Sequence, residues 1–332
     1  MDEPIMSEQQ NVSQVEASYP EIITFGETMA LMMPDNTKGI EYSSHFHSSF
    51  GGAESNVAIG VSRLGHRVGW FGRLGKDPLG QMIFKKIRGE GIDVSRAELT
   101  TEAPTGLILR QVVNGKSSVY YYRKGSAASF MRPEHLDEAY IKQAKYLHVT
   151  GITMALSESA RETVREAVRL AKKHGVKVCF DPNLRLKLWT IEEARGVLLD
   201  MAAQADYFLP GLDELKLLYE TENEDEIFAK LRELPGRSIV KGGDDVTYVV
   251  EPDSVTEVPY FKAETVVDTV GAGDGFCAGF FAGLLKGYEL PEAVRLGNLV
   301  GCMVVQTEGD WEGIPTWEQV EAFLNNVKHV ER

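Results

Sequence analysis

Asp268-Thr-Val-Gly-Ala-Gly-Asp-Gly-Phe276 sets three glycines around one carboxylate where an apolar run begins. That run, Phe276-Cys-Ala-Gly-Phe-Phe-Ala-Gly-Leu-Leu285, is long and smooth enough for a buried helix. Glycines at a helix entry let backbone N–H groups converge on an anion, and the helix dipole adds to that attraction. Asp274 then lies beside the place where a phosphate would rest. A carboxylate is a poor phosphate ligand, because like charges repel, but a good base for an attacking hydroxyl. Phosphoryl transfer asks for little more than positioning, charge neutralisation and such a base. A blander reading fits the same spacing, since Asp favours first helical turns and glycines mark ordinary turns. Two other phosphate motifs are absent: Gly271, Gly273 and Gly275 read G-x-G-x-G, and the chain has no G-x-x-x-x-G-K-[ST] loop.

Outward from this stretch, apolar runs alternate with helical periods. Strands are expected at Glu21–Phe25, Val68–Arg73, Tyr146–Val149, Val176–Phe180, Tyr207–Leu209, Ser238–Lys241 and Tyr248–Val250. Helices are expected at Asn56–Leu64, Leu79–Glu90, Ser159–His174, Ile191–Ala203, Glu214–Glu220, Gly273–Lys286 and Pro291–Val304. Such alternation predicts a parallel sheet covered on both faces. Ala30–Ser49 and Thr105–Arg123 break the rhythm with β-formers, and Val113-Asn-Gly-Lys116 predicts a hairpin turn. The two segments are expected to pair as a small antiparallel sheet outside the main one. Period-2 alternation puts Tyr121 with Arg123 on one face and Tyr120 with Tyr122 on the other, and the Tyr121/Arg123 face is expected to see the ligand.

A second stretch, Phe50-Gly-Gly-Ala-Glu-Ser-Asn56, is followed by Arg63-Leu-Gly65 and Gly72-Arg-Leu-Gly75. The two stretches resemble the N- and C-terminal signatures of the ribokinase-like sugar kinases, the phosphofructokinase-B family, in the right order. The resemblance runs from Glu21 to about Trp317. It implies an α/β fold: a three-layer α/β/α kinase domain over 21–330 with a central, mostly parallel sheet and a small β-sheet lid formed by about 30–49 and 105–123. It further implies Asp274 as the catalytic base and the amides of Gly271, Ala272 and Gly273 as an anion hole. Gly52, Ala53 and Asn56 would hold sugar hydroxyls, where the missing Cβ permits close backbone approach. ATP and Mg²⁺ are the implied cofactors; the need for a monovalent cation stays open.

Val119-Tyr-Tyr-Tyr-Arg-Lys-Gly-Ser-Ala127 resembles the substrate-clamping segment of members that act on 2-keto-3-deoxygluconate. There a Tyr and an Arg, matching Tyr121 and Arg123, contact the sugar acid. An Arg fork is the natural bidentate partner for its carboxylate. Asp181-Pro-Asn-Leu-Arg185 resembles the segment in which an Asn and an Arg, here Asn183 and Arg185, lie between substrate and nucleotide phosphates. The family's N-x-x-E motif reads Gly211-Leu-Asp-Glu214, so the Asn is lost and Glu214 remains to help hold Mg²⁺ through water. Ile108 replaces a Tyr often found at the sugar site. Lys241-Gly-Gly243 is expected to touch phosphates or ribose by its backbone, and Asn298 to approach the adenine. Asp310 either contacts the sugar or is an ordinary loop residue.

The formal charge of −14 argues against nucleic acid or an anionic membrane as partner. No run approaches the ~18 apolar residues of a membrane span. The first twenty residues are polar and acidic without an apolar signal core, and Met1–Pro20 is expected to be a poorly ordered extension. Cys179, Cys277 and Cys302 are scattered in apolar surroundings, which fits buried thiols in a reducing, cytoplasmic compartment. An unpaired lid face predicts a homodimer or higher homo-oligomer built lid to lid. The expected reaction is phosphorylation of the terminal hydroxyl of a sugar acid. The rivals are kinases of fructose, tagatose, 5-keto-2-deoxygluconate or a nucleoside, and a non-catalytic sugar-binding regulator.

Overall fold

The structure, a computed structural model, describes residues 19–242 and 245–330, without the side chains of 326–330. Apart from Tyr19 and Pro20, the expected N-terminal extension lies outside the described residues. The chain opens with β1 (Ile22–Phe25), continues through β2 (Met29–Pro34) and β3 (Phe46–Gly51), and turns at Gly52 into α1 (Ala53–Arg63). β4 (Val68–Phe71), β5 (Arg73–Gly75), α2 (Pro78–Gly89), β6 (Glu98–Thr100), β7 (Leu107–Val113) and β8 (Lys116–Tyr122) follow. Next come α3 (Glu138–Ile141), β9 (Tyr146–Thr150), α4 (Gly151–Leu156), α5 (Glu158–Lys173), β10 (Lys177–Asp181), α6 (Ile191–Ala202), β11 (Tyr207–Phe208) and α7 (Leu212–Tyr219). The last part holds α8 (Glu224–Arg232), β12 (Arg237–Val240), β13 (Val246–Glu251), β14 (Ser254–Pro259), α9 (Ala272–Leu285), α10 (Leu290–Val304) and α11 (Trp317–Val330).

The main sheet has eight strands in the order β14-β13-β12-β11-β10-β9-β1-β4. It is parallel from β4 to β12 and antiparallel at β13 and β14. Its inner strands are buried on both faces, as in Ile22-Ile-Thr-Phe25, because helices cover both sides. On one face α5, α6 and α7 bury Val164, Val168, Leu198 and Leu215. On the other, α1, α9 and α10 bury Val57, Val61, Phe280 and Val300. Helix α9 carries glycines at 275, 279 and 283 against α10, where a Cβ would crowd Val304, Leu296 or Ala293. The two helices therefore pack closely.

A second sheet of four strands, β3-β2-β7-β8, stands apart. The expected hairpin is present, with Asn114 and Gly115 at φ 52 and 72, the left-handed pair that a two-residue turn demands. The sheet is not wholly antiparallel as the sequence suggested: its central pair β2–β7 is parallel. A long excursion through α1, β4 and α2 separates those strands, so β7 returns in the same direction as β2. The predicted strand Val68–Arg73 also ends early, at Phe71, with Arg73 joining a two-stranded sheet with β6. Periodicity did not reveal α4, β14 or α11.

Candidate active site

A cleft of about 1450 Å³ opens at the carboxyl ends of the parallel strands, beneath the inner face of the small sheet. Single-ligand pockets usually measure ~300–1,000 Å³, so this one has room for two ligands side by side. Asp274 lies in the first turn of α9 at its floor, only 9% exposed. Its Oδ2 accepts a 2.8 Å hydrogen bond from Asn56 Nδ2 on α1. The two glycine-bearing stretches of sequence thus meet at one carboxylate. Burial pushes the Asp274 carboxyl up to about 7; the Asn56 bond and the Arg185 charge oppose this, while Asp181 and Asp310 add to it. A carboxyl half-ionised near neutrality is tuned for a general base.

The turn before α9 supplies donors. Gly271 has φ 78, and a Cβ there would overlap the Asp310 carbonyl oxygen, so glycine is required on two counts. The N–H groups of Gly271 and Gly273 have no acceptor among the described residues, whereas that of Ala272 turns to the Thr269 carbonyl at 3.4 Å. Nothing lies within 4 Å of where a Gly273 side chain would begin. An anion can therefore reach these amides at the positive end of the helix dipole. Gly271→Ala is expected to cost about 1–2 kcal/mol of backbone strain and to lower kcat at least ~10-fold by displacing the donors. Wild-type turnover in that variant would show that the turn tolerates displacement.

On the small-sheet side, Tyr121 and Arg123 line the cleft, and Tyr120, expected on the opposite face, lines it too. Arg123 is not free. Its Nε donates to Glu27 Oε2 at 2.7 Å and its Nη2 pairs with the same oxygen. Glu27 is buried after β1 and takes a second bond, 2.5 Å, from Ser126 Oγ. Two cations, Arg123 and Lys187, each lie 5.6 Å from the centroid of the Tyr121 ring. Arg185, Lys187 and Lys124 also line the cleft, so this end is basic although the chain is strongly acidic. Gly52 and Ala53 form the nearby turn, and Asp310 packs so closely on Gly51 that a Cβ there would overlap its carboxylate. Burial pushes the Asp310 carboxyl up to about 6.

Farther along the floor, Asp181 ends β10 and Lys241 follows β12. Lys241 Nζ donates to Asp181 Oδ2 at 3.2 Å. Burial disfavours the charged ammonium, but the neighbouring Asp181 and Glu214 carboxylates outweigh this and the net shift is upward. Asn183 adopts φ 37, tolerable for Asn, with its N–H on Asp181 Oδ1 at 3.1 Å. Glu214 also lines the cleft, and its oxygens accept 2.6 Å bonds from the N–H groups of Gly211 and Leu184. With the Asn of the family motif absent, Glu214 itself closes the N-terminus of α7. Ile108 packs with Met29 and Leu31 under the cleft.

Residues 20–317 match the pfkB family of carbohydrate kinases. The chain belongs to that family. Among pfkB relatives, the 2-dehydro-3-deoxygluconokinase of Bacillus subtilis (strain 168) is 39% identical over 93% of this chain and 97% of its own length. That of Thermoproteus tenax is 32% identical over 91% and 94%. The crystal structure of a PfkB protein from Polaromonas sp. JS666 superposes with a TM-score of 0.84 at 37% identity, covering 91% of this chain and 99% of that one.

Several expected pfkB contacts fall elsewhere. Asn298 does not line the cleft: its Oδ1 accepts from Thr247 Oγ1 at 2.7 Å and its Nδ2 donates to the Val258 and Pro259 carbonyls. A polar residue on an apolar helix spends its bonds on the end of the sheet, pinning α10 to β13 and β14. Lys241 cannot offer its backbone, because its N–H goes to the Pro210 carbonyl and its C=O accepts from Leu212. Only its side chain reaches the cleft. The Gly242 N–H is taken by the Tyr260 hydroxyl at 2.6 Å, and Gly243 lies outside the described residues. Sequence reasoning missed Glu27, Asp181, Lys124 and Lys187 as cleft residues. Asp181 was visible as the head of the Asp181–Arg185 run, and Glu27 as a lone carboxylate directly after a strand.

Proposed function

We propose that this chain transfers the γ-phosphoryl group of ATP to the terminal hydroxyl of 2-keto-3-deoxygluconate, as a 2-dehydro-3-deoxygluconokinase. The observation that carries the reading is Asp274, a buried carboxyl near neutrality beside unpaired amides at a helix N-terminus. On this reading residues 21–330 act as one catalytic unit, the small sheet is its lid, and water is kept from the phosphoryl group. A second copy docked on the lid's outer face, where Tyr122 is exposed, would make a homodimer. The basic end of the cleft supports an acid over a neutral sugar. Since Glu27 already neutralises Arg123, the substrate carboxylate draws on Arg185 and Lys187 as well.

Asp274 takes the proton of the bound hydroxyl as its oxygen forms a bond to the γ-phosphorus. The bond from that phosphorus to the β–γ bridging oxygen breaks, and ADP leaves with the electron pair. The Gly271 and Gly273 amides, with the dipole of α9, face the negative charge spread over the phosphoryl oxygens. Asn56 keeps Asp274 aimed while this happens. No group of three or more His, Cys, Asp or Glu among the described residues could hold a metal directly. This fits Mg²⁺ carried on phosphate oxygens and water, with Glu214 and Asp181 as the carboxylates that would hold it; when bound, it neutralises phosphate charge. The need for a monovalent cation is tested by following ADP release with K⁺ replaced by a bulky organic cation.

The deciding experiment measures ADP release with ATP and a panel of 2-keto-3-deoxygluconate, 5-keto-2-deoxygluconate, fructose, tagatose and adenosine. The highest kcat/KM is expected for 2-keto-3-deoxygluconate; preference for a neutral ketose or for adenosine sinks the reading. A pH profile adds a second check. Because the base must be ionised, kcat/KM is expected to fall tenfold per pH unit below about 7, where burial places Asp274. A flat profile from pH 5.5 to 8 is incompatible with that role.

A further inference from the structure

The small sheet touches the anion-binding turn at one charged contact that the mechanism does not use. Arg110 lies on β7, two residues beyond Ile108 and so on the same cleft-facing side. Its Nη2 stands 2.7 Å from Asp268 Oδ2, and the two side chains are only 11% and 8% exposed. Asp268 also shapes the turn, since its Oδ1 accepts from the Val270 N–H at 3.1 Å. The backbone N–H groups of Val267 and Asp268 both go to the Val305 carbonyl. From Phe261 to Val270 the chain has no helix or strand, and Val266, Val267 and Val270 are exposed. Such a segment opens easily unless tied down. The tie is a charge contact without an aligned hydrogen bond, because Arg110 Nη1 and Asp268 Oδ2 are buried with no hydrogen-bond partner.

We propose that Arg110 is a positioning residue for phosphoryl transfer: through Asp268 it clamps the 268–273 turn to the lid, so that the Gly271 and Gly273 amides are aligned when the lid is closed. Two further observations favour this over simple stabilisation. Asp310 abuts Gly271 and Gly51, and the Arg110 charge acts on its carboxyl. Arg110 therefore acts on the Asp310 loop and on the anion turn together. The pair also joins two parts of the chain more than 150 residues apart that no shared strand connects. The proposal rests on the kinase reading above, and its test is built to fail separately.

The test is a double-mutant cycle of Arg110→Met and Asp268→Asn, with Arg110→Lys as the conservative variant. Amide exchange over 266–273 is measured on the ligand-free protein, and kcat and KM for ATP with whichever sugar the wild type phosphorylates. Each single variant is expected to speed exchange in that segment alone and to lower kcat ~10- to 100-fold with little change in KM. The double variant should be no worse than either single, and Arg110→Lys should recover most of kcat. Unchanged exchange, additive losses, or exchange raised throughout the main sheet overturns the clamp. A wild type inactive on every sugar sinks the kinase reading instead, and the exchange data then decide the clamp alone.

Discussion

Asp274→Asn is expected to lower kcat by ~10²–10⁴-fold, the usual contribution of a general base, while ATP and sugar acid still bind. The substitution keeps the size of the side chain and leaves the amides of 271 and 273 where they are, so binding and proton removal are separable. Stability should move the opposite way. Burial raises the folded-state carboxyl well above its unfolded value, so the group favours folding only at low pH and loses that contribution as pH rises through about 7. An uncharged Asn escapes this penalty. The variant is therefore expected to melt above wild type at pH 8 and to match it more closely at pH 5. Normal turnover in Asp274→Asn removes the base, and with it the proposed mechanism.

Arg123→Ala is expected to cut kcat/KM for the sugar acid ~10- to 100-fold more than for a neutral ketose, the range for losing a charged hydrogen-bond partner. It should also destabilise the protein, since Glu27 is left buried without its cation; breaking such a pair costs about 3–5 kcal/mol. These effects are separated by Glu27→Gln combined with Arg123→Met. The double variant should regain most of the lost melting temperature and still fail to prefer the acid. Equal losses on acid and ketose, or full recovery of preference in the double variant, would show that Arg123 only props up the lid.

Much of this was legible because its signals are local. Alternating strand and helix periods located most of the main sheet, and the Asn114-Gly115 turn located the hairpin of the small sheet. Glycine clustering marked the turn before α9, because the positive φ at 271 is a property of one residue. Failures came where a residue's partner is distant. Asn298 looked like a ligand contact because a polar residue on an apolar helix needs a reason, and its reason proved to be the carbonyls of Val258 and Pro259. Lys241 was expected to act through its backbone; a parallel bridge to Gly211 uses that backbone and leaves the ammonium to face Asp181. α11 was passed over although its amphipathic period matches that of α10, which was expected.

The sequence by itself determined the α/β class, the glycine turn that exposes amides, and the one carboxylate placed beside them. All three follow from residues within a few positions of one another, where backbone sterics and helix polarity act. Tertiary structure alone decided that Asn56 aims Asp274, that Glu27 holds Arg123, and that Arg110 reaches Asp268. It also brought the Asp274 carboxyl to near neutrality. A hydrogen bond between α1 and α9, or the loss of water around a carboxylate, exists only once the helices have packed on the sheet.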